Sequence, residues 1–301
     1  MEEQDLYSSD SYFANANAAG RDIPFSVKAL RWYFKHVGSI VPKLAAKQAL
    51  NLFFTPRKLK VRAFKKKVLK MGSAISFHNN NDVLHGYKWG DGSKNALLVH
   101  GWEGNSASLG GFVPGLVKSG YSVYAFDGPA HGAHKAVKTN MIDFGKAIES
   151  IMNELKTVDT VIAHSFGGSS ALYTLARHDT SRHINNLVMV AAPTQINNVI
   201  SRFAHYLKIN KNIEKLMMNR IMKKTNTNIA DFDLANYAQN ASVNRVLVLH
   251  DKHDIVVPIQ DALHITKKWP KAQLKTFKNL GHNEILWNEE AHNTVLNFLD
   301  N

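Results

Sequence analysis

The most informative segment of the chain is Ala163-His164-Ser165-Phe166-Gly167-Gly168. It follows a continuous apolar run, Val158–Ala163, and leads into a helical pattern. A serine on such a sharp turn between a strand and a helix is exposed above a sheet, at the positive end of the helix. The backbones pass close together at this turn, which therefore needs small residues two positions before and two positions after the serine. Ala163 and Gly167 meet that requirement.

The pattern on both sides of this segment predicts an α/β protein. Short apolar runs bounded by Gly, Asn and Asp predict β-strands at Ala74–Phe77, Leu84–Trp89, Asn95–His100, Ser122–Phe126, Val158–Ala163, Leu187–Ala191, Arg245–His250 and Gln273–Phe277. Helical patterns separate the later runs, at Leu109–Ser119, Met141–Lys156, Gly167–Arg177, Gln260–Trp269 and Glu289–Leu299. This alternation predicts a mostly parallel central sheet flanked by helices. The first two strands have no helix between them, which favours an antiparallel hairpin at the start of the sheet.

One interval interrupts the alternation and predicts a helical cap. Between Pro193 and Ser242, about fifty residues have no strand signal, which is too long for a structureless loop. The interval carries an apolar stripe at helical spacing. We therefore expect an α/β domain over residues 71–301, interrupted at 194–242 by a small helical cap above the carboxyl ends of the strands.

Residues 1–70 are expected to form a separate N-terminal extension. Met1–Gly20 is polar and acidic, which predicts disorder. Residues 23–70 predict two helical stretches broken near Thr55-Pro56, and they contain thirteen Lys or Arg and no Asp or Glu. This segment supplies most of the net charge of +13.

The basic segment allows two interpretations. Its lysines and arginines could form a solvated face on helices that dock onto the main domain. Alternatively, residues 23–70 could make a weak peripheral contact with an anionic membrane. Nucleic-acid binding is not expected, because the cluster Lys65-Lys66-Lys67 lacks the interleaved aromatic residues of a base-stacking surface.

Composition sets further limits. The 301 residues are 45% apolar and 20% charged, as in an ordinary globular protein. The absence of cysteine excludes disulfides, thiolate zinc sites and a cysteine nucleophile. No apolar run is long enough for a membrane span, and the start lacks the pattern of a secretory signal. We expect a cytoplasmic protein, with peripheral membrane association as the alternative, and the sequence does not indicate the oligomeric state.

A second motif, Leu98–Gly104, ends an earlier predicted strand. A backbone N–H just past this strand can point at the same space as the N–H that follows Ser165. The amides of Trp102 and Phe166 could together form an oxyanion hole, which stabilises negative charge that appears only in a transition state. The alternative is a glycine-rich turn beside a buried His100.

A carboxylate is expected just past a late strand. Asp254 precedes an apolar run and Pro258, which would hold its loop rigid, and Asp251 is the competing residue. With His250 and His253, these aspartates superficially resemble a metal cluster. A strand end followed by a tight turn would scatter the four side chains, so no metal site is expected.

His282 follows the last predicted strand, in Leu280–Glu284. It is one of fifteen histidines, and a lone histidine is usually structural. Its position in the chain order Ser165, Asp254, His282 favours a functional role. A serine hydroxyl needs an adjacent base to act as a nucleophile at neutral pH, and the base needs an anion to fix its tautomer.

These motifs resemble those of the α/β-hydrolase superfamily. The residues that carry the resemblance are His100-Gly101-Trp102, Asp127-Gly128-Pro129-Ala130-His131-Gly132, Ala163–Gly168, His253-Asp254 and Gly281-His282. The likeness runs from about residue 71 to the end, and the basic lead-in resembles that of bacterial members with poorly defined substrates. Ala163 departs from the usual glycine. Dehalogenase or epoxide hydrolase chemistry would place an aspartate where Ser165 stands.

The resemblance implies a catalytic triad of Ser165, Asp254 and His282, oxyanion amides at Trp102 and Phe166, and no cofactor. A turn-fixing role is expected for Asp127. The expected activity is hydrolysis of small-molecule carboxylic esters with small or medium acyl chains. A thioesterase, an amidase or peptidase with the same triad, and a non-catalytic binding protein are the alternatives. A substrate pocket is assigned to His164, Phe203, Tyr206, Leu207 and Met217, although the apolar residues of the cap are more often simply its core.

Overall fold

A computed structural model of the chain describes residues 23–79, 82–177, 183–228 and 233–301. The start predicted to be disordered, residues 1–20, lies outside these ranges. Within them, no helix combines the length and the apolar character needed to cross a bilayer.

The described α-helices are α1 (Phe25–Ile40), α2 (Pro42–Phe53), α3 (Ala63–Lys70), α4 (Val113–Lys118), α5 (Met141–Leu155), α6 (Phe166–Arg177), α7 (Ile196–Tyr206), α8 (Lys211–Thr225), α9 (Ile259–Lys268), α10 (Gly281–Glu284) and α11 (Glu289–Asp300). The strands are β1 (Ser73–Asn79), β2 (Asp82–Trp89), β3 (Lys94–Val99), β4 (Tyr121–Phe126), β5 (Thr160–His164), β6 (Ile184–Val190), β7 (Val243–Asp251) and β8 (Ala272–Phe277).

The chain divides into two compact units. Of the described residues, the first unit combines those up to Phe54 with those of Gln195–Asp233, and the second combines those of Thr55–Thr194 with those of Leu234–Asn301. The sequence pattern predicts residues 1–70 and 194–242 as separate additions to an α/β domain. In the structure, helices α1 and α2 belong to the same unit as α7 and α8, and α3 belongs to the second unit.

The second unit is built on one eight-stranded sheet in the order β1-β2-β4-β3-β5-β6-β7-β8. Strand β2 is antiparallel to β1 and β4, and the remaining neighbours are parallel. The predicted α/β class and the predicted initial hairpin are therefore confirmed. Since β3, β5, β7 and β8 run in the same direction, their carboxyl ends lie at one edge of the sheet.

The central strands are buried along their length, which explains their continuous apolar runs. Every residue of β5 is buried, as are the last four residues of β3. A strand covered on both faces has no solvent side and so loses the alternation of polar and apolar residues. Leu98 and Ile162 pack in a core cluster with Leu116 of α4 and Val295 of α11.

The first unit is a helical assembly with its own apolar cluster. Phe34 of α1, Ala45 of α2 and Met217 of α8 are fully buried in it. The helices α1 and α2 are separate, because Pro42 occupies the first position of α2 and disfavours helical geometry at Val41, where φ is −121° and ψ is 61°. The predicted break near Thr55-Pro56 is present as well, since α2 ends at Phe53 and α3 begins at Ala63.

Candidate active site

Ser165 is the single residue that connects β5 to α6. Its φ of 52° lies in the left-handed region, which residues other than glycine rarely adopt. Two backbone hydrogen bonds hold it there: its N–H donates to the Val190 carbonyl at 2.9 Å, and its own carbonyl accepts from Ser169 N–H at 3.1 Å. Such strain persists only where the surrounding structure enforces it, and it is concentrated at functional sites.

The glycines of the two motifs bring the loop after β3 against this turn. A Cβ on Gly167 would lie 2.3 Å from the His100 carbonyl oxygen, and one on Gly101 would lie 3.0 Å from Ser165 Cβ. Real Cβ atoms do not approach other atoms to 2.3 Å. Only glycine at position 167 therefore permits this distance between the ends of β3 and β5.

Ser165, His282 and Asp254 form a continuous hydrogen-bond chain. His282 Nδ1 donates to Asp254 Oδ2 at 2.7 Å, and His282 Nε2 accepts from Ser165 Oγ at 3.0 Å. All three residues are buried. The three residues expected from the sequence to act together are therefore in direct contact, with the imidazole in the tautomer that can take the serine proton.

Asp254 is held as an anion. Burial raises the pKa of its carboxyl group, but the hydrogen bond and charge of His282, together with the amides of Val257 and Val256, outweigh burial and leave the pKa below its ordinary value. Its Oδ1 accepts from the Val256 and Val257 amides at 2.7 and 3.0 Å. These bonds also orient the carboxylate towards His282.

Asp251, the competing acid, binds backbone amides through its carboxylate, whereas Asp254 binds the His282 ring. Its Oδ1 accepts from the His253 amide and its Oδ2 from the Leu280 amide, each at 2.7 Å. Both carboxylate oxygens thus bind backbone, one next to Asp254 and one two residues before His282. The sequence identified Asp251 as a candidate but did not indicate this connection between two loops.

His164, assigned from the sequence to a substrate pocket, contacts His282. Its Nε2 donates to the His282 carbonyl at 2.9 Å, and the two ring centroids are 4.7 Å apart. Burial and the neighbouring His282 hold the pKa of His164 well below its ordinary value. A neutral His164 therefore supports the backbone at His282.

The other four pocket residues belong to the first unit. Leu207 and Met217 are buried in its apolar cluster. The Phe203 ring packs edge-to-face on Phe53, with centroids 5.1 Å apart, and the Arg31 guanidinium carbon lies 5.1 Å from the Tyr206 ring centroid. Their assignment to a substrate pocket stays a prediction.

The backbone amides of Trp102 and Phe166 lack a partner among the residues that the structure describes, since neither N–H donates a hydrogen bond to a protein acceptor there. Phe166 is the first residue of α6, where the helix dipole favours negative charge. The Trp102 and Phe166 rings pack edge-to-face, with centroids 5.0 Å apart. Two free donors beside Ser165 can therefore receive a developing oxyanion.

An ion pair that no sequence pattern indicates supports the loop that carries Trp102. Glu103 has a left-handed φ of 60°, and its carboxylate accepts from Arg57 Nε at 2.7 Å and from Arg57 Nη2 at 2.6 Å. The Gly104 amide closes the same turn by donating to the Gly101 carbonyl at 3.0 Å. A bidentate pair fixes geometry more strictly than a single contact does.

Asp127 binds backbone, as expected of a turn-fixing residue. It accepts from the Ser106 amide at 2.7 Å and from the Ala133 amide at 2.8 Å. A Cβ on Gly132 would lie 2.2 Å from the Asp127 carboxylate, which accounts for glycine there. Asp127 therefore joins the loops after β3 and β4.

Two buried histidines lie behind the Trp102 loop. His100 Nδ1 donates to the Gly101 carbonyl at 2.7 Å, and its Nε2 accepts from the Gly128 amide at 3.0 Å. His131 Nδ1 donates to the Pro129 carbonyl at 2.9 Å. Burial lowers the pKa of His100 to about 4, and burial and the nearby His100 lower that of His131 to about 3. Both are neutral at pH 7.

The histidines at residues 250–254, which resemble metal ligands in the sequence, form hydrogen bonds to other groups of the protein. His253 Nδ1 lies 2.8 Å from Asn279 Oδ1, and His250 Nε2 donates to the Val257 carbonyl at 2.9 Å. Across the described ranges, no group of three or more His, Cys, Asp or Glu is arranged to hold a metal ion.

Comparison with known proteins agrees with this geometry. The sequence model of a family described as alpha/beta hydrolase fold matches residues 97–220, which include Trp102, Ser165 and Phe166. A curated relative, non-heme chloroperoxidase CPO-A1 from Kitasatospora aureofaciens, is 28% identical over 109 residues. That alignment covers 35% of this chain and 39% of the relative, so the chain matches well under two thirds of the relative's length.

Solved structures are similar over most of the chain. The esterase Pf2001 from Pyrococcus furiosus has a TM-score of 0.63 and 18% identity, and the match covers 82% of this chain and 98% of that one. A bromoperoxidase from Bacillus anthracis has a TM-score of 0.57 and 18% identity, with coverage of 76% and 100%. At these identities the likeness establishes the fold and leaves the chemistry to be argued from the site.

Proposed function

We propose that this chain, which matches an α/β-hydrolase family model over residues 97–220 and has the same fold as an esterase, is a serine hydrolase that cleaves carboxylic esters of small or medium acyl chains. The observation that carries the proposal is the hydrogen-bond chain from Ser165 Oγ through His282 to Asp254, at 3.0 and 2.7 Å. This arrangement activates a serine hydroxyl.

In the first half of the proposed reaction, Ser165 Oγ attacks the ester carbonyl carbon and His282 Nε2 takes the serine proton. The imidazolium that forms is stabilised by the Asp254 carboxylate, whose lowered pKa keeps it charged. The tetrahedral intermediate then collapses, the carbon–oxygen bond to the leaving alcohol breaks, and His282 returns the proton to that alcohol. The product is an acyl group bound to Ser165 Oγ.

In the second half, water replaces the alcohol. His282 Nε2 removes a proton from the water, whose oxygen attacks the acyl carbon. Collapse of the second intermediate breaks the bond to Ser165 Oγ and returns the proton to the serine. The carboxylic acid leaves and the enzyme is restored without a cofactor.

The unpaired amides of Trp102 and Phe166 act on the charge that appears in both intermediates. In this proposal they donate hydrogen bonds to the oxyanion, which carries more negative charge than the ester carbonyl does. Donors of this kind lower the barrier because they are fixed before the reaction begins; removing one from an acyl-transfer enzyme costs about 10²–10³ in kcat.

The proposal is tested by assaying p-nitrophenyl esters of increasing acyl length with wild type and with Ser165→Ala. The matched control, Ser119→Ala, replaces an exposed serine. We expect turnover in the wild type and in the control, and a loss of about 10⁴ or more in Ser165→Ala. Turnover that survives in the purified Ser165→Ala variant would rule out the mechanism.

A second assay is independent of the choice of ester. A fluorophosphonate phosphonylates a serine hydroxyl that an adjacent base has activated, and mass spectrometry then identifies the modified peptide. We expect modification at Ser165 in the wild type and in Ser119→Ala. If Ser165 is labelled and no ester is cleaved, the serine mechanism stands and the leaving group is a thiol or an amine. Absence of labelling would contradict the serine mechanism.

A further inference from the structure

Helix α1 is apolar on two opposite faces. One face packs into the first unit through residues such as Leu30 and Phe34. On the other face, large apolar side chains are open to solvent: Phe25 is 85% exposed, Trp32 61% and Ile40 81%. Single exposed apolar side chains are ordinary, whereas several on one element indicate an interaction surface.

Lysines accompany these exposed apolar residues. Phe25, Lys28, Trp32 and Lys35 follow one another at spacings of three and four residues, so they share one face of α1. Helix α2 also exposes apolar and basic side chains together, since its exposed Leu44 lies among basic residues. We define the α1–α2 surface by eight exposed side chains: Phe25, Lys28, Trp32, Lys35, Ile40, Lys43, Leu44 and Lys47.

The positive charge of the α1–α2 surface is not balanced within the described part of the chain. None of its four lysines forms an ion pair with an acidic residue there. Residues 23–70 contain no Asp or Glu, so neighbouring positions supply no compensating charge. The surface therefore presents unbalanced positive charge beside aromatic and aliphatic side chains, a combination that suits an anionic partner with an apolar interior.

We propose that the α1–α2 surface attaches the protein peripherally to a bilayer that contains anionic lipid. Phe and Trp insert at the boundary between headgroups and acyl chains, where the Phe ring is buried among apolar groups and the Trp indole N–H stays near the headgroups. Lysines on the same helix contact phosphate and carboxylate headgroups. Nucleic acid satisfies the charges but offers no favourable site for Ile40 and Leu44. The attachment is separate from hydrolysis, because no residue of this surface takes part in the proposed mechanism.

The test is co-sedimentation of the full chain with vesicles of phosphatidylcholine alone or with about 30 mol % phosphatidylserine. We expect sedimentation only with the anionic vesicles and release at about 0.5 M sodium chloride, where screening is strong. Equal binding to both vesicle types, or no binding to either, would overturn the proposal. Binding of RNA without binding of vesicles would overturn it in favour of nucleic acid.

Variants separate the two contributions. Phe25→Ser with Trp32→Ser is expected to weaken vesicle binding by about tenfold or more. The double variant with Lys28→Gln and Lys35→Gln is expected to weaken vesicle binding by about fivefold for each lysine.

The matched controls alter exposed residues of the second unit. One is the double variant with Val83→Ser and Val137→Ser, and the other is the double variant with Lys252→Gln and Lys267→Gln. Wild-type binding by both α1 variants, or an equal loss in the controls, would contradict the proposal. A thermal unfolding curve verifies that each variant is folded.

Discussion

The carboxylate of Asp251 accepts a hydrogen bond of 2.7 Å from the backbone amide of Leu280, which joins the loop after β7 directly to the loop after β8. The first of these loops carries Asp254 and the second carries His282. The other Asp251 oxygen binds the amide of His253, and the residue is fully buried. The distance between Asp254 and His282 therefore depends on a side chain that touches neither of them.

Asp251→Asn is expected to lower both activity and stability. One oxygen of the amide side chain can still accept, but its NH₂ group faces a backbone N–H and leaves it unpaired, which costs about 1–3 kcal/mol. The His282 loop loses its attachment, and we expect kcat to fall by about tenfold. Ester hydrolysis and urea unfolding measure the two effects. Asp91→Asn, at an exposed position, is the control; if Asp251→Asn behaves like it, the connection between the loops has no functional importance.

Asp254→Asn is expected to affect catalysis more than binding. An asparagine amide can donate to His282 Nδ1 and so favour the wrong imidazole tautomer, and it cannot stabilise the imidazolium. We expect kcat to fall by about 10³–10⁴ with KM changed little. Steady-state kinetics on the best p-nitrophenyl ester test this, with Asp300→Asn as the exposed control. Activity close to wild type would mean that Asp254 is not the acid that orients His282.

Gly167→Ala is expected to remove activity through the backbone. The added Cβ would lie 2.3 Å from the His100 carbonyl oxygen, so the ends of β3 and β5 must move apart. That movement displaces the Phe166 and Trp102 amides from Ser165, and we expect a loss of about 10² or more in kcat. The control is Gly115→Ala, whose new Cβ meets only the end of the flexible Leu296 side chain at 2.7 Å. Equal activity of the two variants would disprove this explanation of Gly167.

The buried histidines predict that stability falls in mild acid. An unfolded histidine binds a proton below about pH 6.5. In the folded chain, His131 does so only below about pH 3, and His100 only below about pH 4. Between these limits the unfolded state binds more protons, so stability is lost as the pH falls, by about 1.4 kcal/mol per pH unit for each histidine.

His131→Phe isolates one of these contributions. Its ring packs against Trp102 and Phe144, so phenylalanine suits the site, although the hydrogen bond to Pro129 is lost. We expect the dependence of unfolding free energy on pH to decrease by about 1.4 kcal/mol per unit between about pH 6 and pH 4. Urea unfolding across that interval measures it. An unchanged slope in His131→Phe would refute the assignment.

Local pattern was sufficient to predict the central sheet of the second unit. Its strands are short apolar runs separated by turn residues, and the structure contains all eight of them. A fully buried strand such as β5 is a continuous apolar run, which can be recognised without information about distant residues. The order of Ser165, Asp254 and His282 was likewise visible, because each follows a predicted strand and parallel strands end at a common edge.

The sequence did not reveal which segments far apart in the chain pack against or bind each other. The apolar stripes of α1 and α7 do not reveal that they belong to one unit, because either stripe could pack against any apolar face. The sequence also could not separate Asp251 from Asp254 by geometry, because both lie within four residues of one strand end. Arg57 and Glu103 are forty-six positions apart, and nothing in their local patterns indicates a pair.

The two-part construction of the first unit has a consequence for synthesis on the ribosome. Between its segments lie about 140 residues of the other unit. At about 5–20 residues per second, these residues take about 7–28 s to synthesise, so α1 and α2 are made that long before α7 and α8. During that interval Phe34 and its apolar neighbours lack the partners that bury them. The chain therefore completes its amino-terminal unit only after much of the second unit has been synthesised.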